Sequence, residues 1–177
     1  MFYVVLLFMI QIYTGNGKGK TTAALGLALR AVGHGLKVIM IQFMKGKINY
    51  GELTSAQRLP NFEIEQYGRP DFVNPENPDK EDISLAQTAL KRAREVIHSR
   101  SYDMVILDEI NVAASFGLIQ LSDVIDLMRK KPESVELILT GRYMPEEFIE
   151  YADLISEIRE VKHHFQTGTP ARKGIEY

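Results

Sequence analysis

Thr14-Gly15-Asn16-Gly17-Lys18-Gly19-Lys20-Thr21-Thr22 lies between an apolar run, Ile10–Thr14, and an Ala- and Leu-rich stretch over 20–32 that ends at Gly33. A strand, a glycine-rich turn and a helix, in that order, make a phosphate-binding loop. Against the pattern G-x-x-x-x-G-K-[ST], Gly19, Lys20 and Thr21 match, while Thr14 takes the place of the first glycine. The physics survives that departure. Gly15 and Gly17 let successive backbone N–H groups turn inward around an anion. The following helix aims its N-terminus, worth about half a positive charge, at the same point. Lys20 supplies a full charge, Lys18 adds positive charge beside the loop, and the Thr21 hydroxyl suits a Mg²⁺ ion. A glycine-rich turn carrying a solvated lysine is the bland alternative, and the flanking strand and helix argue against it.

Outward from this loop, apolar β-branched runs alternate with amphipathic stretches. That alternation predicts a three-layer α-β-α fold around a mainly parallel sheet. Strands are expected at 37–43, 62–67, 104–107, 135–139 and within 155–161. Asp79 is a candidate N-cap for a helix whose buried stripe is Ile83, Ala86, Leu90, Ala93 and Ile97. Shorter helices are expected near 112–116 and 122–129, and Pro145 is placed at the first position of a helix over 146–152. The polar segment 44–61 is left without structure. Three prolines make 68–78 a long loop, of the kind that is often functional. The tail, 162–177, is basic and without periodicity. Length and the lack of a linker predict one domain over 1–177, with 1–8 as a surplus apolar extension. That extension lengthens the first strand, pairs elsewhere, or marks a start codon upstream of a natural start at Met9.

Strand 104–107 runs into Asp108 and Glu109. In parallel α/β sheets ligands bind beyond the carboxyl ends of the strands, so both acids emerge beside the phosphate loop. One is expected to hold Mg²⁺, directly or through water, and the other to orient a nucleophile or a further ligand. Arg142, in Thr140-Gly141-Arg142, reaches the same edge as a bidentate phosphate donor or remains a surface arginine. His163 and His164 are not expected to bind a metal, because neighbours on a strand face opposite ways. His34, between two glycines, reads as a turn residue.

The composition narrows the classes. The chain has no cysteine, 45% hydrophobic and 25% charged residues, and a formal net charge of −2. Thiolate chemistry and disulfides are excluded, and a broad electrostatic grip on nucleic acid or an anionic membrane is not expected. The apolar N-terminus lacks the basic flank and cleavage site of a signal peptide and is too short to span a bilayer. The cytoplasm is the expected location.

Residues 13–24, Tyr13-Thr-Gly-Asn-Gly-Lys-Gly-Lys-Thr-Thr-Ala-Ala24, with Ala31-Val-Gly-His-Gly35, resemble the ATP-dependent corrinoid adenosyltransferases of the P-loop type. Further likeness runs through Gln42-Phe-Met-Lys-Gly46, Leu107-Asp-Glu109, Thr140-Gly-Arg142, Val161-Lys-His-His-Phe165 and Gly174-Ile-Glu176. Members of that family share the missing first glycine. The resemblance implies a RecA-like sheet and an attack of reduced cobalt on C5′ of ATP that expels triphosphate. The substrates would be ATP and a corrinoid, with Mg²⁺ as the metal and a Co(II)-reducing electron donor as a partner; dimers are common in the family. By position, Gly15 to Thr22 (Gly15, Asn16, Gly17, Lys18, Gly19, Lys20, Thr21, Thr22) would line the phosphates. Lys20, Thr21 and Glu109 would carry catalysis, Thr21, Asp108 and Glu109 the metal, and Arg30 and Arg142 would lie near the nucleotide. Relatives carry a Phe-x-Trp pair that packs on the corrin. This chain has no tryptophan, so Phe72 in Gly68-Arg-Pro-Asp-Phe72-Val73, alone or with Tyr67, is the nearby aromatic substitute, or else Phe72 is a locally packed residue.

Two other functions fit a phosphate loop. A RecA-like ATPase or kinase would use Glu109 to activate water or a hydroxyl and would release ADP. A partitioning-type nucleotide switch carries K-G-G-x-G-K-[ST], and here Gly15 stands in place of its signature lysine.

Overall fold

A computed structural model describes residues 8–46 and 50–177. The six expected strands are β1 (Ile10–Thr14), β2 (Val38–Phe43), β3 (Phe62–Tyr67), β4 (Met104–Asp108), β5 (Glu136–Thr140) and β6 (Leu154–Glu157). They form one sheet in the order β3-β2-β4-β5-β1-β6, and every pairing is parallel. Among the described residues the α-helices are α1 (Lys20–Gly33), α2 (Gly51–Ala56), α3 (Lys80–Ser99), α4 (Ile110–Ser115) and α5 (Leu121–Arg129).

The central strands β2, β4 and β5 are buried at every position because both of their faces are covered, and they are apolar except at Gln42, Asp108, Glu136 and Thr140. Along β2, Ile39, Ile41 and Phe43 face one core with α3, α4 and α5, while Val38 and Met40 face the other with α1. On the α1 side Ala24, Ala28 and Ala31 are the contact residues. Their small side chains let the helix lie close over Met104, Ile106 and Ile138. The stripe expected on α3 is buried at Ala86, Leu90, Ala93 and Ile97, joined by Ala89 and Val96. The three layers of the sequence reading are therefore present, and the carboxyl ends of β1, β2, β4 and β5 converge on one edge.

Three local expectations need correction, and a fourth holds in position alone. α2 lies inside the segment left without structure; six residues are too few to display a helical period. Pro145 caps a 3-10 turn over Glu146–Tyr151 from outside, rather than opening an α-helix. β6 stops at Glu157, so His163 and His164 are not on a strand; their rings stack on each other at 4.4 Å. Asp79 stands at the N-cap of α3 but makes no capping bond, because its carboxylate is taken by Arg69. Of the extension read at 1–8, only Phe8 lies among the described residues. No helix of the described residues is long and apolar enough to cross a membrane.

Candidate active site

The loop after β1 owes two of its glycines to a chain that crosses it. A methyl group at Gly15 would stand 2.5 Å from the carbonyl oxygen of Ile158, and one at Gly17 would stand 2.6 Å from that of Arg159. The segment leaving β6 lies against the loop, with the Gly17 N–H donating to the Ile158 carbonyl at 2.7 Å. Gly15 (φ +97°) and Gly19 (φ +125°) also take conformations that other residues rarely adopt. Thr14 is still part of β1, where its carbonyl accepts the Ile158 N–H at 2.8 Å. A glycine is therefore not required at the position where the common motif has one.

Lys20 is buried, and its Nζ donates to the carbonyls of Gly15 (2.8 Å) and Gly17 (2.7 Å). Burial pulls its pKa down; Glu109 opposes this and Arg142 adds to it.

Asp108 ends β4 fully buried and is enclosed by donors. Thr21 Oγ1 reaches it at 2.9 Å, Thr140 Oγ1 at 2.7 Å, Gln42 Nε2 at 3.2 Å and Lys45 Nζ at 2.7 Å. Burial opposes its charge, yet the Lys45 ammonium and the hydrogen bonds from Lys45, Thr140 and Thr21 hold the carboxyl below the usual range. The reverse holds for Lys45: burial disfavours its ammonium, but Asp108 raises its pKa above the ordinary lysine value. Glu109 follows in the left-handed region (φ +63°), with its N–H donating to Thr140 Oγ1 at 3.0 Å. That turn sends its side chain into the site instead of along the strand. Burial first, and the Asp108 charge second, push its pKa up.

These groups open on one cavity of about 680 Å³. Gly17 to Thr22 line it on one part, and Lys45, Tyr50, Glu52, Ser55, Glu109 and Arg142 on another. The rest of the lining comes from the tail, with His163, His164, Phe165 and Gly174 to Tyr177. One ion pair ties that tail to the phosphate loop, Lys18 with Glu176 at 2.7 Å, and a second, Glu176 with Arg172 at 3.1 Å, lies within the tail. The donor set around Thr21 and Glu109 is all oxygen and suits a hard divalent cation.

A family model described as ATP:corrinoid adenosyltransferase BtuR/CobO/CobP matches residues 8–177. The chain belongs to that family. It is similar to a corrinoid adenosyltransferase of Escherichia coli K12, at 37% identity over 96% of this chain and 85% of that protein. Proteins of the same name from Pseudomonas aeruginosa and a Sinorhizobium species are 35% and 34% identical over 96% of this chain; the match covers 83% and 80% of their lengths.

Within the family site, the residues taken over by likeness fall in different places. Arg142 lines the cavity. Arg30 does not: it sits in the last turn of α1, ten residues and roughly 15 Å from Lys20 along the helix axis. Phe72 is fully exposed and outside the lining. Its loop is nevertheless anchored, because Arg69 grips the buried Asp82 of α3 with Nε at 2.8 Å and Nη2 at 2.7 Å. At the same point the backbones of Gly46 and Gly68 touch so closely that a methyl on either would overlap the other strand's chain. Asp108 is less open than the sequence suggested, since its four donors leave it facing the site through the Thr21 hydroxyl. Sequence reasoning missed Lys45 as a charged member of the site, along with Tyr50, Glu52 and the tail. Lys45 and the tail stood in stretches that carried the family likeness, but their partners lie far away in the chain, so no role could be read from those stretches.

Proposed function

We propose that this chain binds ATP along residues 15–22 and transfers its 5′-deoxyadenosyl group to the cobalt of a reduced corrinoid, releasing triphosphate. The observation that carries the reading is the bond from Thr21, which lines a cavity of nucleotide size, to the enclosed Asp108 behind it. Thr21 and Glu109 would hold Mg²⁺, with Asp108 fixing the Thr21 hydroxyl; the ion supplies neutralisation of triphosphate charge. The protein has little covalent work in such a displacement. It must hold C5′ in line with cobalt, fix the leaving group and exclude water. The glycine loop and the α1 N-terminus fix the phosphates, Lys20 keeps the loop closed around them through Gly15 and Gly17, and Arg142 adds positive charge from β5. A donor of one electron that converts Co(II) to Co(I) is required as a partner. A homodimer is supported by the exposed Leu154 and Ile155 on the edge strand β6. The phosphate loop, Glu109 and Arg142 all follow strands of one sheet, which supports a single domain over 1–177, and the need for ATP supports a cytoplasmic location.

The test is to incubate the protein with Mg-ATP and chemically reduced cobalamin and to follow the corrinoid spectrum and the phosphate products together. A light-sensitive adenosylated corrinoid with stoichiometric triphosphate is expected; ADP and phosphate would assign an ATPase instead. Phe72→Ala then separates the substrates. With the Phe72 ring as a corrin contact, its loss raises the KM for corrinoid about tenfold and leaves the KM for ATP unchanged. A ring used only for local packing leaves both constants as they were.

A further inference from the structure

We propose that Lys45 is a catalytic residue whose ammonium stabilises the charge that develops on the departing triphosphate. The inference rests on the adenosyl-transfer reading and gives a role to a residue just beyond β2. Among the described residues three lysines line the cavity, and they are differently engaged. Lys20 spends its hydrogen bonds on the carbonyls of its own loop, and Lys18 spends them on Glu176 and the Ile175 carbonyl. Among the described residues, Lys45 has Asp108 as its one hydrogen-bond acceptor. An ammonium carries three N–H groups, so two remain for a ligand. The side chain is 17% exposed and stands with its Nζ 5.4 Å from the centre of the Tyr50 ring.

Its place in the chain fits the bond that breaks. In the transfer, cobalt(I) gives its electron pair to C5′ and becomes cobalt(III). The C5′–O bond breaks with its pair going to oxygen, and that oxygen leaves on triphosphate. No proton moves, and the phosphate chain gains one negative charge. A cation helps this step most when it stands where that charge appears, in a site shielded from water. Lys45 is joined to Gly46, which packs on Gly68 at the start of the Phe72 loop. It therefore lies between the phosphate loop and the segment expected to meet the corrin. The tail already occupies the part of the lining around Lys18.

The competing account makes Lys45 only the counter-ion of Asp108. Lys45→Met separates the two through kcat and the affinity for inorganic triphosphate, which bears the charge that ATP lacks. We expect kcat to fall about 100-fold and triphosphate affinity about tenfold, with ATP affinity changed by less than about threefold. Lys45→Arg is expected to recover most of the triphosphate affinity. Because Lys45→Met leaves Asp108 buried without its cation, the double variant Lys45→Met/Asp108→Asn is measured beside it. A folded double variant that turns over more slowly than Asp108→Asn alone supports the assignment. Equal kcat in the double variant and Asp108→Asn overturns it, as does an equal loss of affinity for ATP and triphosphate. Failure of the underlying reading is seen separately, in the wild type, as ADP in place of triphosphate.

Discussion

Replacing Asp108 with alanine will lower the free energy of unfolding by about 3–5 kcal/mol, the usual cost of leaving one member of a buried ion pair alone. The carboxylate holds four donors from four parts of the chain: Thr21 in α1, Gln42 in β2, Lys45 just beyond β2 and Thr140 in β5. Its removal strands the Lys45 ammonium and frees two hydroxyls at once. For a domain of this size the midpoint of thermal unfolding should fall by about 10 °C. Adenosyl transfer should be lost as well, since the hydroxyl proposed for Mg²⁺ is oriented by this carboxylate. Asp108→Asn keeps an acceptor oxygen and should cost less stability, which chemical denaturation of the two variants will resolve. Equal stability of Asp108→Ala and the wild type would remove the buried pair from the account.

The second large effect concerns Gly17. A methyl group there would meet both the carbonyl oxygen and the carbonyl carbon of Arg159, at 2.6 Å and 2.7 Å. Neither is a flexible side-chain end, so the chain after β6 must move off the loop and break the Gly17 to Ile158 hydrogen bond. Gly17→Ala is expected to cost about 2–3 kcal/mol of stability. Because the displaced segment leads into the tail that lines the cavity, ATP affinity should fall about 100-fold. Gly26 is the control: it lies inside α1, a methyl there meets nothing, and its backbone is helical. Gly26→Ala should gain about 0.5–1 kcal/mol, and isothermal titration should find its nucleotide binding unchanged.

The contrast between these two glycines shows what a sequence can carry. The central strands were legible as short apolar runs, since buried parallel strands need no alternation, and the edge strand β3 by its apolar residues Phe62, Ile64 and Tyr67. The phosphate loop was legible from Gly19-Lys20-Thr21, and the carboxylates from their place at the end of an apolar strand. What covers Gly17 was not, since Ile158 lies 141 positions away and becomes a neighbour only once β6 pairs with β1. Lys45 was hidden for the same reason. Pairing of β2 with β4 sets Gln42 beside Asp108, and that register brings a lysine three residues on to the carboxylate. The tail has no period because ionic contacts hold it, and these leave no repeating trace in the chain. α2 fell below the length at which a helical pattern can show.

The contact between Gly46 and Gly68 bears on how the two substrates influence one another. Backbone there meets backbone with no room for a side chain, so the segment carrying Lys45 cannot press toward the base of the Phe72 loop without displacing it. A ligand that moves Lys45 in that direction moves the base of the loop as well. Under the proposed reaction, one of these segments meets the triphosphate and the other the corrin. Any help that ATP gives to corrinoid binding is returned in equal measure, as thermodynamic reciprocity requires. Affinities measured one substrate at a time will then understate those of the working complex. The size of the shortfall measures the stiffness of this single backbone crossing.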